Sequence, residues 1–280
     1  MPGRDEISMM RPRLANLRRP GIYGAMLGLR NFFQTRDQVV RAPRPVAPIA
    51  PDRAFCVIGD IHGRADLLLA LGEKVAELAL GLPMVFVGDY IDRGDQSAEV
   101  LRLLHAAWSQ NPEGVHCLMG NHEAMCLAFL DDPEKAGPRW MRHGGLQTLA
   151  SFGIGDVGEV SSGATYVRAR DALALAMGDP LIEWMRGMPL QWSNGNVTVV
   201  HAGADPARPL DAQDRRTLLW GHRDFISTPR DDGQWVVHGH TIVDAPLAEA
   251  GRIAIDTGAY ATGTLTAAVC DEDGAHFVST

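Results

Sequence analysis

The sequence predicts an α/β (α+β) fold, on three observations. Apolar runs at 54–58, 84–87 and 115–119 alternate with stretches of helical period at 66–80 and 97–108. That order calls for parallel strands joined by crossover helices. Further runs rich in β-branched residues, at 197–200, 235–237, 252–255 and 263–269, make the C-terminal half sheet-rich. Finally, five of the runs end in glycine and polar residues, as strands do when they deliver functional groups at their carboxyl ends.

The remaining elements follow in order. A helix opening at Glu123 leads into a long, mainly helical segment, 131–187, containing Trp140, Met141 and an Ala/Leu-rich stretch at 169–177. It reads as a helical cap insertion. Four prolines between 41 and 51 favour an extended linker. The domain boundary is therefore placed there, with 1–50 a basic Arg/Pro-rich N-terminal extension and 51–280 the catalytic domain. Within the extension, 22–40 carries Leu27, Leu29, Phe32 and Phe33 at spacings that suit a short helix, although the composition is that of a disordered tail.

Composition bounds the function. The 280 residues are 46% hydrophobic and 21% charged, which is ordinary for a globular chain. The net charge is −8; the first fifty residues hold nine Arg and three acids, or +6, which leaves −14 for the rest. An acidic domain argues against binding nucleic acid by phosphate neutralisation, while the basic tail suits an acidic partner. No run approaches the roughly 18 to 20 apolar residues of a membrane span, and the N-terminus lacks the apolar stretch of a secretory signal, so a cytoplasmic location is expected. Cys56, Cys117, Cys126 and Cys270 form no Cys-x-x-Cys pair, and Cys56 and Cys117 lie in apolar runs that suit small core residues.

The chemistry sits after the five runs: Gly59-Asp60-Ile61-His62-Gly63, Gly88-Asp89-Tyr90-Ile91-Asp92-Arg93-Gly94, Gly120-Asn121-His122-Glu123, His201-Ala202-Gly203 and His238-Gly239-His240. Carboxylate, imidazole and amide oxygen without thiolate suit borderline or hard divalent ions. One ion would not use so many ligands. Two ions about 3.5 to 4 Å apart would, and that spacing clamps an in-line displacement at phosphorus. Any one of these side chains alone is more often a turn former or a buried polar group; their joint occurrence is what points to a centre.

In these motifs the sequence resembles the calcineurin-like metallophosphoesterases. It is closer to their phosphoprotein phosphatase branch, with its eukaryotic serine/threonine phosphatases, lambda phage phosphatase and bacterial diadenosine tetraphosphatase. The resemblance covers roughly 54–270, and extends to Ile255-Asp256-Thr257-Gly258-Ala259 and Gly263-Thr264-Leu265-Thr266, which are similar to the closing strands of phage and bacterial members. It implies a four-layer sandwich of two facing mixed β-sheets flanked by helices. It also implies two divalent ions per chain, manganese foremost, with Fe, Zn, Co or Mg as alternatives.

By resemblance, Asp60 and His62 would be ligands of the first metal, Asp89 the bridging carboxylate, and Asn121, His201 and His240 ligands of the second. Hydroxide held between the metals would attack phosphorus directly, without a phosphoenzyme. His122 would protonate the leaving oxygen, oriented by Asp92. Arg93 would bind phosphate oxygens together with Asn121, and Arg223 is assigned as the second phosphate-binding arginine with His222 as its rival. Glu123 is left outside the catalytic set, as a group that hydrogen-bonds behind the ligands or within its own helix turn.

Three features depart from the pattern or leave a role open. Relatives place an arginine two residues after Leu-Leu-Trp, whereas Leu218-Leu219-Trp220 is followed by Gly221-His222-Arg223. Trp140-Met141-Arg142-His143-Gly144-Gly145 carries histidine where relatives have asparagine. His238, by strand alternation, is expected on the same face as His240. The leading reading is a hydrolase of phosphomonoesters, with serine/threonine phosphoproteins as the substrate class. The alternatives are a hydrolase of dinucleoside polyphosphates such as diadenosine tetraphosphate, an inactive binding protein on the same fold, and a metal-dependent nuclease. The absence of a basic cluster along 131–187 favours monoesters over polyphosphates.

Overall fold

The computed structural model describes residues 46–280. The tail and its suggested helix at 22–40 lie outside the described residues. Two five-stranded sheets form the frame. The first contains β1 (Phe55–Ile58), β2 (Met84–Phe86), β3 (Val115–Cys117), β9 (Thr266–Asp271) and β10 (Gly274–Ser279), in the order β10-β9-β1-β2-β3. The second contains β4 (Gln191–Asn194), β5 (Val197–Val200), β6 (Trp235–His238), β7 (Leu247–Glu249) and β8 (Arg252–Ala254), in the order β4-β5-β6-β8-β7. Each is mixed: β1, β2 and β3 are parallel, as are β5, β6 and β8, while β9 and β10 in the first sheet and β4 and β7 in the second pair antiparallel.

Strand alternation decides which side chains join which layer. In β1, Phe55 and Val57 point to the second sheet, where they meet Val197, Val199, Val237 and Ile253. Cys56 and Ile58 point the other way, into a core shared with the helices. Those helices are α1 (Ala65–Val75), α2 (Ser97–Gln110) and α3 (Asn121–Asp131), followed by α4 (Pro133–Trp140), α5 (Leu146–Ser151), α6 (Gly163–Met177) and α7 (Asp179–Arg186). The segment 131–187 is thus helical as expected, and its Trp140, Leu149, Tyr166, Leu173 and Trp184 belong to the same core as α1 to α3. The outer face of the second sheet carries a thinner layer, in which Leu218 of α8 (Arg215–Trp220) packs with Val200, Phe225 and Val236. A last short helix, α9 (Ala259–Thr262), precedes β9.

Two expectations are corrected. The packed domain begins before residue 51, because Ile49 is buried, Ala47 accepts a hydrogen bond from Trp235 Nε1 at 2.7 Å, and Asn196 ties Pro48 and Ala50 to the second sheet. Val46 to Ala50 therefore form part of the domain rather than linker. His238 and His240 do not share a strand face: β6 ends at His238, and His240 has φ 63°, so the turn at Gly239 breaks the alternation. The His238 ring packs edge-on against Phe225, with its Nδ1 on the Gly239 carbonyl. All four cysteines are buried free thiols, and burial pushes Cys56, Cys117 and Cys270 up to about 12, which keeps them unreactive.

Candidate metal centre

The six parallel strands, three in each sheet, bring their carboxyl ends to one place. Asp60 and His62 follow β1, Asp89 follows β2, Asn121 and His122 open α3 after β3, and His201 and His240 follow β5 and β6. Five residues here, His62, Asp89, Asp92, Arg93 and His240, have positive φ, a conformation that costs an ordinary L residue of order 1 kcal/mol or more and collects at functional sites. Close approach does the rest. A Cβ on Gly239 would overlap Asp60 Oδ1, and one on Gly120 would overlap Asp89 Oδ1, so only glycine lets these backbones reach the carboxylates.

Asp89 stands at the middle. Its Oδ2 faces His62 Nε2 at 3.6 Å and its Oδ1 faces His201 Nε2 at 3.4 Å, one oxygen toward each imidazole. Both rings have their other nitrogen committed: His62 Nδ1 donates to Ile91 O at 2.8 Å, and His201 Nδ1 donates to Val87 O at 3.1 Å. That turns Nε2 of each ring inward, the nitrogen that a metal would use. His201 Nε2 also lies 2.8 Å from Asn121 Oδ1, close enough for both atoms to be neighbouring ligands of one cation.

Electrostatics point the same way. Asp60 is 2% exposed; its Oδ2 accepts from His240 N, and its Oδ1 is the one buried side-chain oxygen or nitrogen without a partner among the described residues. Burial, then the like charges of Asp256 and Asp89, raise Asp60 well above the usual carboxylate range. Burial acts on Asp89 in the same sense, but His201 and His122 outweigh it and hold this carboxyl well below its ordinary value. Burial lowers His62 to about 3 and His240 to about 4, which leaves both as neutral donors near pH 7. An orphaned carboxylate oxygen, neutral inward-facing imidazoles and a carboxylate shared between them fit divalent cations of borderline or hard character.

Two groups of side chains have atoms close enough to hold an ion, His62 with Asp89 and His122, and Asp89 with His201 and His240. His122 enters the first group by proximity, yet its surroundings suit a different role. Its Nδ1 bonds Asp92 Oδ2 at 2.6 Å, and its Nε2 lies 3.3 Å from Arg93 Nη2, a cation that a metal ligand would not keep beside it. Asp92 is fully buried and also accepts from Trp140 Nε1 at 2.9 Å and Thr148 Oγ1 at 2.6 Å. Burial disfavours a charged His122, but Asp89 and Asp92 overcome it and raise the ring; burial likewise raises Asp92 against its three donors.

Some assignments change. Arg223 is 88% exposed and pairs with the adjacent Asp224, so the structure does not assemble it with Arg93; its rival His222 sits between Asp205 and Asp224. Glu123 has a larger part than its helix turn: Oε2 accepts from Asp89 N and Gly120 N, and Oε1 from Tyr90 N and Ile91 N. Asp256, buried after β8, was not singled out, although it too is a polar residue closing an apolar strand. Two aromatic residues were missed as well. Tyr260 stands 5.2 Å from the His62 ring with Arg93 stacked over it, and Trp220 stands 6.4 Å from the His240 ring under Arg139.

Two facing sheets with a polar centre at their joined strand ends fit a metal-dependent phosphatase, the class that the family and the relatives give. The chain belongs to the calcineurin-like phosphoesterase family, whose model matches residues 54–246. It is 31% identical to a bis(5'-nucleosyl)-tetraphosphatase (asymmetrical) of Bacillus velezensis over 76% of this chain and 87% of that one. It is 28% identical to serine/threonine-protein phosphatase 2 of Salmonella typhimurium over 76% of this chain and 91% of that one. The fold matches a protein serine/threonine phosphatase structure from Saccharomyces cerevisiae with a TM-score of 0.55, at 17% identity over 83% of this chain and 84% of that one.

Proposed function

We propose that this chain hydrolyses phosphoric esters and anhydrides at a centre of two divalent ions. The observation that carries the reading is Asp89, which turns one carboxylate oxygen toward His62 and the other toward His201. Asp60, His62 and Asp89 would hold one ion, and Asp89, Asn121, His201 and His240 the other. When bound, the pair supplies charge neutralisation at the phosphoryl group and acidifies the attacking water. Manganese leads among the candidate ions on the strength of the resemblance.

The rest is done by this chain's side chains. Arg93, held over Tyr260, offers a planar pair of donors to phosphoryl oxygens. Arg93 Nη2 and protonated His122 Nε2, 3.3 Å apart, could both donate to one phosphoryl oxygen in place of their contact with each other. His122 then donates its proton to the leaving oxygen, while Asp92, fixed by Trp140 and Thr148, keeps the ring aligned and supports its charged form. Arg223 is not part of this proposal.

Two substrate classes fit the centre equally: phosphoserine or phosphothreonine in proteins, and dinucleoside polyphosphates. Monoesters were favoured by the lack of a basic cluster within 131–187. Folding supplies one nonetheless, because Lys135 and Arg139 of α4 line a single cleft with Arg215 and Arg216 of α8. The test is hydrolysis by manganese-loaded protein of p-nitrophenyl phosphate, a phosphothreonine peptide and diadenosine tetraphosphate, side by side. Turnover of the first is expected in every case; metal-loaded protein that cleaves none of the three contradicts the reading.

A further inference from the structure

Beside the centre lies a cleft of about 720 Å³ between α3, α4 and α8. That volume is in the range of small-molecule sites, roughly 300–1,000 Å³. Its floor is apolar, with Met125, Leu219 and the Trp220 ring, and its rim carries Lys135, Arg139, Arg215 and Arg216. All four cations are exposed, and among the described residues none of them lies within 4.0 Å of a carboxylate. The two acids on the same rim are engaged elsewhere: Asp131 is bound by Arg186, and Asp132 accepts from the Lys135 backbone N–H at the start of α4. Four cations against two acids, one of them bound by Arg186, leave this cleft net positive in a domain with an acidic balance, a complement to an anion.

We propose that this cleft holds the distal nucleotide of a polyphosphate substrate, resting on the reading of the centre as a phosphoester and anhydride hydrolase. The apolar floor, with the Arg139 guanidinium stacked on the Trp220 ring at 4.5 Å as a flat surface at its edge, suits a nucleobase, and the other cations suit the phosphates between that base and the cleaved bond. Position supports it, since Trp220 is shared between the cleft and the surroundings of His240, so a chain of phosphates can run from one to the other. A second recess of about 520 Å³, with Arg93, Arg142, His143 and Tyr260, adjoins the His62 side of the centre. A substrate with a group at both ends fits such a two-sided arrangement better than a single phosphate, which Arg93 alone would satisfy.

The test is the double variant Arg139→Ala/Arg216→Ala in the full chain. KM for diadenosine tetraphosphate is expected to rise about tenfold with kcat little changed, as for two lost exposed charge contacts. In the same preparation, kcat/KM for p-nitrophenyl phosphate should stay within about twofold. Calorimetric binding of ADP to the metal-free chain should weaken by a similar factor, which decides the cleft independently of turnover. Unchanged ADP affinity and unchanged KM for the tetraphosphate would overturn the proposal. So would a variant that loses only the turnover of an acidic phosphopeptide, since the cleft would then dock protein. If the unaltered enzyme failed on p-nitrophenyl phosphate, the hydrolase reading would fall, and the ADP arm would still judge the cleft.

Discussion

At the scale of single residues, the centre depends on side chains whose hydrogen bonds leave one atom free to act. His62 and His201 each give Nδ1–H to a backbone carbonyl and keep Nε2 for the centre. His122 is held by the same nitrogen but on a carboxylate, with Nδ1 on Asp92 Oδ2 and Nε2 beside Arg93. On the proposed reading, the carboxylate partner is what fits His122 to act as an acid and the carbonyl partners are what fit His62 and His201 to act as ligands, although all three rings are buried. His122→Asn should therefore leave the metal content unchanged and cut kcat by roughly 10² to 10⁴ on an ester with a poor leaving group. Unchanged turnover on such an ester, measured alongside metal analysis, would remove His122 from the chemistry. The structure gathers Asp60, His62, Asp89, Asn121, His201 and His240, all singled out in the sequence because each follows an apolar strand run. Arg223 was misplaced because spacing along the chain cannot show that its guanidinium turns to Asp224 and solvent. Trp220 entered only as a marker for the arginine expected after it, and Tyr260 carried no signal, since an aromatic residue near a glycine is as readily a core residue.

At the scale of elements, the carboxylate of Glu123 joins the β2 turn to the first turn of α3. Four backbone N–H groups point at its two oxygens, and burial together with Asp89 raises it to about 7. Glu123→Gln would replace one acceptor oxygen by a donor and leave buried N–H groups unpaired, at a cost of about 1–3 kcal/mol for each. The expected result is a lower Tm together with weaker metal binding, read by thermal unfolding and by metal titration. Asn196 plays the corresponding part for the chain entering the domain, bonding Ala50 N, Pro48 O and Gly233 O. Asn196→Ala should cost about 1–3 kcal/mol in denaturant unfolding while kcat stays near its original value. The strands that escaped sequence reading are β4, β7 and β10, each at the margin of a sheet. Marginal strands bury little, so their residues form no apolar run, and the periodicity that revealed β1, β2, β5 and β6 is missing.

At the scale of the whole molecule, a core of facing sheets holds several carboxylates whose charges are opposed by burial. Asp60, Asp92, Asp256 and Glu123 are all raised, and Asp89 alone among these is lowered. A raised carboxyl keeps its proton in the folded state at a pH where the unfolded chain has lost it, so folding stability falls as pH rises across that interval. For Glu123 the interval runs from its ordinary 4.5 to about 7. The metal-free chain should therefore lose Tm between those values. Bound cations should suppress that loss, releasing protons as they enter. Metal at 100 times Kd would add about 2.7 kcal/mol per site, so chelation should lower Tm most at the higher pH. Equal pH dependence with and without metal would show that these carboxyls do not face the ions.

The central claim is that Asp89 joins two metal sites into one reactive centre, and metal stoichiometry paired with activity tests it most directly. The experiment is a manganese titration of the chain and of Asp89→Asn, with p-nitrophenyl phosphate hydrolysis followed at each point. The account expects two ions per chain and activity that reaches its maximum only when both are bound, with both sites weakened together in the variant. Full activity with a single ion, or a variant that still binds two ions tightly, would contradict it.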